Sequence, residues 1–216
     1  MLLSRLQQLL GSLYDLPAAH DVRDFVVTDR NSIRGFGGAA SDEQLFVART
    51  GDELGVSLFL DDAVLQRLSA ADPMRRLDQS NLADYLTAIE GVSHFVYVAW
   101  NAAFDKPVSL LELELQAEID KFVASAWLLT QQEGGRFPRE LHHVLFARTR
   151  VAAALAGDRA GMYRAASRYA ARYCRRVAQG LRRNSVVDNG SAIWSELRRF
   201  YRLGVMRKLA HIERHA

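Results

Sequence analysis

The sequence predicts an α+β protein with an N-terminal antiparallel sheet of about four strands and flanking helices, followed by a C-terminal bundle of about four helices. Three observations support this fold class. Before Pro107, short apolar runs are separated by turn residues, which is typical of strands and hairpins. Beyond Pro107, apolar residues recur at helical spacing. The chain has 216 residues, of which 49% are hydrophobic, enough to bury a sizeable core.

The N-terminal half begins with a leucine-rich amphipathic helix at residues 1–16, which we expect to end at Pro17. Strands are predicted at residues 22–29, 45–49, 56–60 and 92–100. The segment Thr50-Gly51-Asp52 is a turn signal, so the second and third of these strands should form a hairpin.

Two short helices are expected between the hairpin and the last strand. Asp61 or Asp62 can cap the first, which runs through Leu68. Ser80 can cap the second, residues 81–90, and Gly91 is expected to end it.

The C-terminal half begins with a long helix whose start has the spacing of a capping box, Ser109 followed by Glu112. The glycines of Glu133-Gly134-Gly135 should stop this helix. Three further helices are predicted at residues 139–156, 159–181 and 191–214.

The two halves carry opposite charge. Residues 1–100 contain 8 arginines and no lysine against 14 acidic residues, whereas residues 101–216 contain 20 basic against 11 acidic residues. We therefore predict an acidic α+β half, residues 1–107, and a basic helical half, residues 108–216, packed together as one compact unit.

The helix predicted at 159–181 concentrates the positive charge. From Arg159 to Val187 there are eight arginines and no aspartate or glutamate, although like charges at helical spacing repel one another. On a helical projection the arginines occupy one arc beside an apolar arc. The predicted anion-binding residues are Arg164, Arg168, Arg172, Arg175, Arg176, Arg182 and Arg183.

Two arrangements could stabilise this row of cations. Carboxylates of the N-terminal half, or of the helix that follows Ser109, could pair with it inside the fold. Alternatively, it could bind an external anion, with nucleic acid as the first candidate and an acidic protein or another acidic ligand as the second. The function predicted on the second arrangement is a non-enzymatic binding protein.

Two other functions remain open. The protein could be an adaptor or chaperone that acts as a homodimer and binds another protein through a sheet edge or its first helix. It could also be a small hydrolase or nuclease built from Glu114, Glu118 and a histidine such as His142 or His143, because paired carboxylates serve acid–base chemistry.

Other features narrow the class of protein. A single cysteine, Cys174, excludes an intramolecular disulfide and a cysteine zinc site. No metal site and no cofactor are predicted, because no nucleotide-binding or metal motif occurs in a suitable context. No window has the length of a membrane span, so we expect no membrane partner and a cytoplasmic location.

Overall fold

The computed structural model describes residues 1–17, 20–36, 41–51, 53–147, 158–183 and 191–215. They form an α+β protein, as predicted. The chain divides into two compact units. The N-terminal unit comprises Met1–Ser12 and Leu16–Pro107, and the C-terminal unit comprises Leu13–Asp15 and Val108–Ala216.

The sheet of the N-terminal unit has three strands in the described residues: β1 (Val26–Val27), β2 (Glu43–Thr50) and β3 (Glu53–Leu60). The strand order is β1-β3-β2, with β2 antiparallel and β1 parallel to β3. The predicted hairpin is confirmed, and Gly51 in its turn has a φ of 61°, which suits glycine. The prediction of about four antiparallel strands is wrong, because the sheet is mixed and lacks a strand at 92–100.

The predicted strand at 92–100 belongs instead to a helix, α3 (Leu82–Ala102). Residues 91–98 are all buried, so the apolar run reflects a helix enclosed on every side rather than a two-faced strand. Gly91 does not end the helix. It allows close approach to the sheet, since a Cβ there would lie 2.9 Å from Cγ of Glu43 and 3.0 Å from Cδ1 of Leu58.

The N-terminal half has two other α-helices and two 3₁₀ helices in the described residues. The first helix, α1, spans Leu2–Tyr14, and α2 spans Asp62–Ala70. Of the two predicted candidates, Asp61 and Asp62, it is Asp61 that caps α2, its side chain accepting a hydrogen bond of 2.9 Å from the Ala63 amide. The predicted strand at 22–29 is largely wrong, because a 3₁₀ helix, Val22–Phe25, precedes the two residues of β1. A second 3₁₀ helix spans Arg30–Phe36.

The C-terminal unit is helical. Its helices are α4 (Leu110–Gln132), α5 (Leu141–Phe146), α6 (Asp158–Arg183), α7 (Ala192–Tyr201) and α8 (Val205–Arg214). Ser109 caps α4 by accepting a hydrogen bond of 3.2 Å from the Glu112 amide. Part of the helix predicted at 139–156 lies outside the described residues. The single helix predicted at 191–214 is wrong, because Gly204 has an extended backbone, with ψ 165°, and separates α7 from α8.

Helix α6 packs against α4, α5 and α8. Its buried residues are Ala160, Ala166, Ser167, Ala170, Tyr173, Cys174, Val177, Ala178 and Leu181. The ring of Tyr173 stacks on that of Phe200 in α7, with 4.0 Å between centroids. This packing fixes one side of α6 and therefore determines which residues its other side presents. None of the described helices is long and apolar enough to cross a membrane.

Candidate nucleic-acid interface

The outer side of α6 carries four exposed arginines, Arg164, Arg168, Arg172 and Arg175, which we call the arginine face. The arginines and the buried residues of α6 both recur every three or four residues. The two sets occupy different positions in this repeat, so they lie on different sides of the helix. Among the residues that the structure describes, none of these four side chains forms an ion pair or a hydrogen bond. The charge of the arginine face is therefore not neutralised by described carboxylates.

The arginine face is a nearly straight row. At about 100° per residue, Arg164, Arg168 and Arg175 lie within about 40° of one another around the helix axis, with Arg172 beside them. A rise of 1.5 Å per residue places Arg164 and Arg175 about 16 Å apart along the axis. Arg182 continues the row to a length of about 27 Å.

Arg176, which the sequence assigns to the same cationic row, has internal partners. Its Nη2 donates a hydrogen bond of 2.7 Å to Oε1 of Glu196 and lies 3.0 Å from Nε2 of His211. Its guanidinium also lies 5.7 Å from the centre of the Tyr173 ring. Arg176 therefore joins α6 to α7 and α8, and it is less available to an external anion than its neighbours are.

Arg182 is exposed at the C-terminal end of α6. Its Nη2 donates a hydrogen bond of 3.1 Å to the carbonyl of Arg139, and its guanidinium lies 5.4 Å from the centre of the Phe137 ring. These residues and Arg136 help to line an open cavity of about 1040 Å³. The row of cations thus ends beside further arginines and an aromatic ring. The side chain of Arg183 lies outside the described residues.

Two other arginines of the basic half have a structural role that the sequence does not reveal. Arg198 donates a hydrogen bond of 3.3 Å to the carbonyl of Leu13, and Arg202 donates to the carbonyls of Tyr14 and Asp15 at 3.1 and 3.0 Å. These carbonyls end α1, where cations are favourable because the helix dipole is negative there. These two arginines therefore stabilise a helix end.

The C-terminal unit also buries one cation, Lys208, completely. Its Nζ donates a hydrogen bond of 2.6 Å to Oε1 of Gln116, whose Nε2 donates one of 2.7 Å to Oδ1 of Asp120. The same Asp120 oxygen accepts a hydrogen bond of 2.6 Å from the Tyr14 hydroxyl. Burial lowers the pKa of Lys208 to about 7, although nearby Glu112 and Asp120 act in the opposite direction.

The sequence does not reveal this buried network. The only local signal is that Lys208 lies four residues before Ile212, on the buried side of α8. A lysine at such a position is more often a surface residue whose stem covers apolar atoms. Its partners in α1 and α4 are distant along the chain, so the sequence could not identify them.

The residues of the proposed hydrolase have other contacts. Glu114 is buried, and Glu118 accepts a hydrogen bond of 2.5 Å from Lys121. Nε2 of His142 lies 2.8 Å from the carbonyl of Ala171 in α6. Within the described residues, the two glutamates and either His142 or His143 do not form a cluster of metal-ligand spacing.

Two further features bear on the other functions considered. Burial raises the pKa of the Cys174 thiol well above its usual value, so this cysteine is not an activated nucleophile. Five leucines of α1 are buried and therefore already covered, which weakens the idea of this helix as an adaptor surface. They are Leu3, Leu6, Leu9, Leu10 and Leu13.

Fold and surface together define a class: an α+β protein whose helical C-terminal unit presents a row of exposed arginines with no carboxylate partner among the described residues. Comparisons with protein-family models, curated proteins and solved structures give no match to this chain.

Proposed function

We propose that this protein binds nucleic acid, without catalysing a reaction on it, through the arginine face of α6. One observation carries the proposal: four neighbouring guanidiniums are exposed and have no ion pair among the described residues. The sequence left two arrangements open. Among the described arginines of the row, only Arg176 supports pairing with an internal carboxylate, that of Glu196.

Repulsion between the cations of the arginine face destabilises the isolated helix. Arg168 has arginines four residues before and after it, and Arg172 also has one three residues after it. Each like-charge pair at this spacing costs about 0.2–0.5 kcal/mol. A bound polyanion would remove this repulsion and release its own counterions, so the surface favours an anionic ligand.

The shape of the arginine face favours nucleic acid over an acidic protein. Its cations lie in a row that Arg182 extends to about 27 Å, and a nucleic acid offers a phosphate at every step along such a row. Arginine also forms two parallel hydrogen bonds to a phosphate, which lysine cannot do. An acidic peptide remains the second candidate ligand.

The proposal includes a cytoplasmic location. The protein has one cysteine, and Cys174 is a free, buried thiol, as is common in a reducing compartment.

Fluorescence anisotropy with labelled single-stranded and double-stranded oligonucleotides tests the proposed function. We expect binding at low salt, and we expect Arg168→Gln/Arg172→Gln to weaken it by at least about tenfold, because hydrogen bonds to charged groups contribute about 1.5–3 kcal/mol each. The matched control is Arg75→Gln/Arg76→Gln, two exposed arginines of the N-terminal unit. It changes the net charge equally and should leave the affinity unchanged.

Three outcomes would contradict the proposal. They are no binding at low salt, equal weakening by both double variants, or displacement of the oligonucleotide by an equimolar poly-glutamate peptide. The second would show that net charge acts rather than the arginine face. The third would make an acidic protein the better candidate.

A further inference from the structure

A second basic site lies on α7 and α8, and none of its lining residues belongs to the arginine face. A cavity of about 380 Å³ is lined by Arg199, Leu203, Arg207, His211, Arg214 and His215. Arg207, His211 and Arg214 are spaced at three and four residues, so they lie on one side of α8. Three guanidiniums and two imidazoles thus line one open cavity, and no carboxylate is among its lining residues.

The cations of this pocket are only partly neutralised. Glu196 accepts hydrogen bonds from Arg199 at 3.1 Å and from Arg176 at 2.7 Å, and its Oε1 lies 2.6 Å from Nε2 of His211. Among the described residues, Arg207 and Arg214 have no carboxylate partner; Arg214 donates only to the carbonyl of Ala210, at 3.2 Å. Both are exposed. At least two positive charges are therefore available to a ligand.

Glu196 also holds the inner wall of the pocket in place. It fixes His211, whose ring lies 5.6 Å from the centre of Phe200 and 4.8 Å from that of the exposed His215. Such a network orders the site before a ligand arrives, which reduces the entropy lost on binding. The exposed side chains of Arg207 and Arg214 line the same cavity as this network.

The volume and the lining indicate the class of ligand. A cavity of about 380 Å³ is within the range of small-molecule sites, about 300–1,000 Å³, and exceeds what one inorganic anion fills. Leu203 and the exposed imidazole ring of His215 offer apolar and stacking surface beside the guanidiniums. Two unneutralised arginines match the double charge and three acceptor oxygens of a phosphate monoester.

We propose that this pocket binds a phosphate monoester of about the size of a mononucleotide. The group could belong to a free nucleotide or to the phosphorylated end of a nucleic acid, because both present the same chemistry. The inference does not depend on the function proposed for the arginine face, since the two sites share no residue.

Isothermal titration calorimetry with adenosine 5′-monophosphate and with adenosine tests the pocket. We expect the monophosphate to bind and the nucleoside not to bind. Arg207→Gln/Arg214→Gln should lower the affinity for the monophosphate by at least about tenfold, because charge-assisted hydrogen bonds are lost. Arg168→Gln/Arg172→Gln should bind it as the wild type does, which separates this site from the arginine face.

Oligonucleotides with a 5′-phosphate or a 5′-hydroxyl distinguish the two sources of the ligand. A preference for the 5′-phosphate that disappears in Arg207→Gln/Arg214→Gln would assign the pocket to a nucleic-acid end. Equal binding of both oligonucleotides, with retained binding of the monophosphate, would assign it to a free nucleotide.

Amide chemical shifts of the wild-type protein give a check that requires no variant. The monophosphate should shift signals of α8 and the C-terminal turn of α7. Absence of measurable heat, equal binding of adenosine, or shifts confined to other helices would overturn the inference. Loss of oligonucleotide binding in Arg168→Gln/Arg172→Gln would not affect it.

Discussion

Arginines of the N-terminal unit and of the arginine face differ in their partners. Five of the eight arginines within residues 1–100 form ion pairs with aspartates, whereas no residue of the arginine face has an ion pair in the described chain. The five are Arg5, Arg23, Arg30, Arg67 and Arg76. The difference indicates that these five arginines act within the fold, while those of the arginine face remain available to a ligand.

The buried Lys208 shows that the C-terminal unit also satisfies a cation where folding requires it. We expect Lys208→Met to lower the free energy of unfolding by about 2 kcal/mol, because it leaves Oε1 of Gln116 buried without its hydrogen-bond donor. Urea denaturation measures this effect, with Met206→Gln on the exposed side of α8 as the control. If Lys208→Met were as stable as the wild type, a cation with partners inside the fold would not be needed for stability. The contrast between paired arginines and the arginine face would then lose its meaning.

The same lysine should make stability depend on pH. Its pKa is about 7 in the folded protein and about 10.5 in the unfolded chain, so the unfolded state binds more protons between these values. Stability should therefore rise with pH from about 7 to 8.5, by at most about 1.4 kcal/mol per unit. Urea denaturation of the wild type and of Lys208→Met across this pH range isolates the contribution of Lys208 to the pH dependence.

The pH window has an upper limit for a physical reason. Burial raises the pKa of Cys174 and of Tyr14 above the ordinary values, so ionisation of these groups in the unfolded chain lowers stability at higher pH. A pH dependence that is the same in wild type and Lys208→Met would show that another group causes it.

In the N-terminal unit, Asp61 combines a helix cap with an ion pair to Arg30. We expect Asp61→Ala to lower the free energy of unfolding by about 1 kcal/mol through loss of the cap alone. Asp61→Asn should lose less, because its amide oxygen can still cap α2. Thermal and urea unfolding of the two variants measure this difference. An equal loss of unfolding free energy in both would show that the cap contributes nothing.

The smallest effect on stability is expected at the arginine face, and it has the opposite sign. Arg168→Gln/Arg172→Gln should leave the fold intact and raise the free energy of unfolding slightly at low salt, by about 0.2–0.5 kcal/mol for each repulsive pair removed. The gain should fall as salt screens the charges. A clear loss of stability would show that these arginines have structural partners after all.

The sequence predicted features of this molecule that depend on neighbouring residues. Helical spacing predicts the helix around Arg168 and its row of arginines. The residue types at a helix start predict a cap at the beginning of α2. The hairpin followed from its turn residues. The same reasoning gave the right fold class but too many strands.

Features that depend on distant residues were not predictable. Arg176 pairs with Glu196, and Lys208 reaches Gln116 across 92 positions in the chain. The run that starts at Val92 resembles a strand because a helix buried on every side leaves no polar face in its pattern. Gly91 resembles a helix end, yet it is small because the sheet lies against it.

The salt dependence of oligonucleotide affinity tests the central claim most directly. The logarithm of the association constant should fall linearly with the logarithm of the salt concentration. Arg168→Gln/Arg172→Gln should make that slope shallower by about 1.4 for a single strand or about 1.8 for a duplex, since two phosphate contacts are lost. An identical slope in wild type and variant would contradict binding through the arginine face.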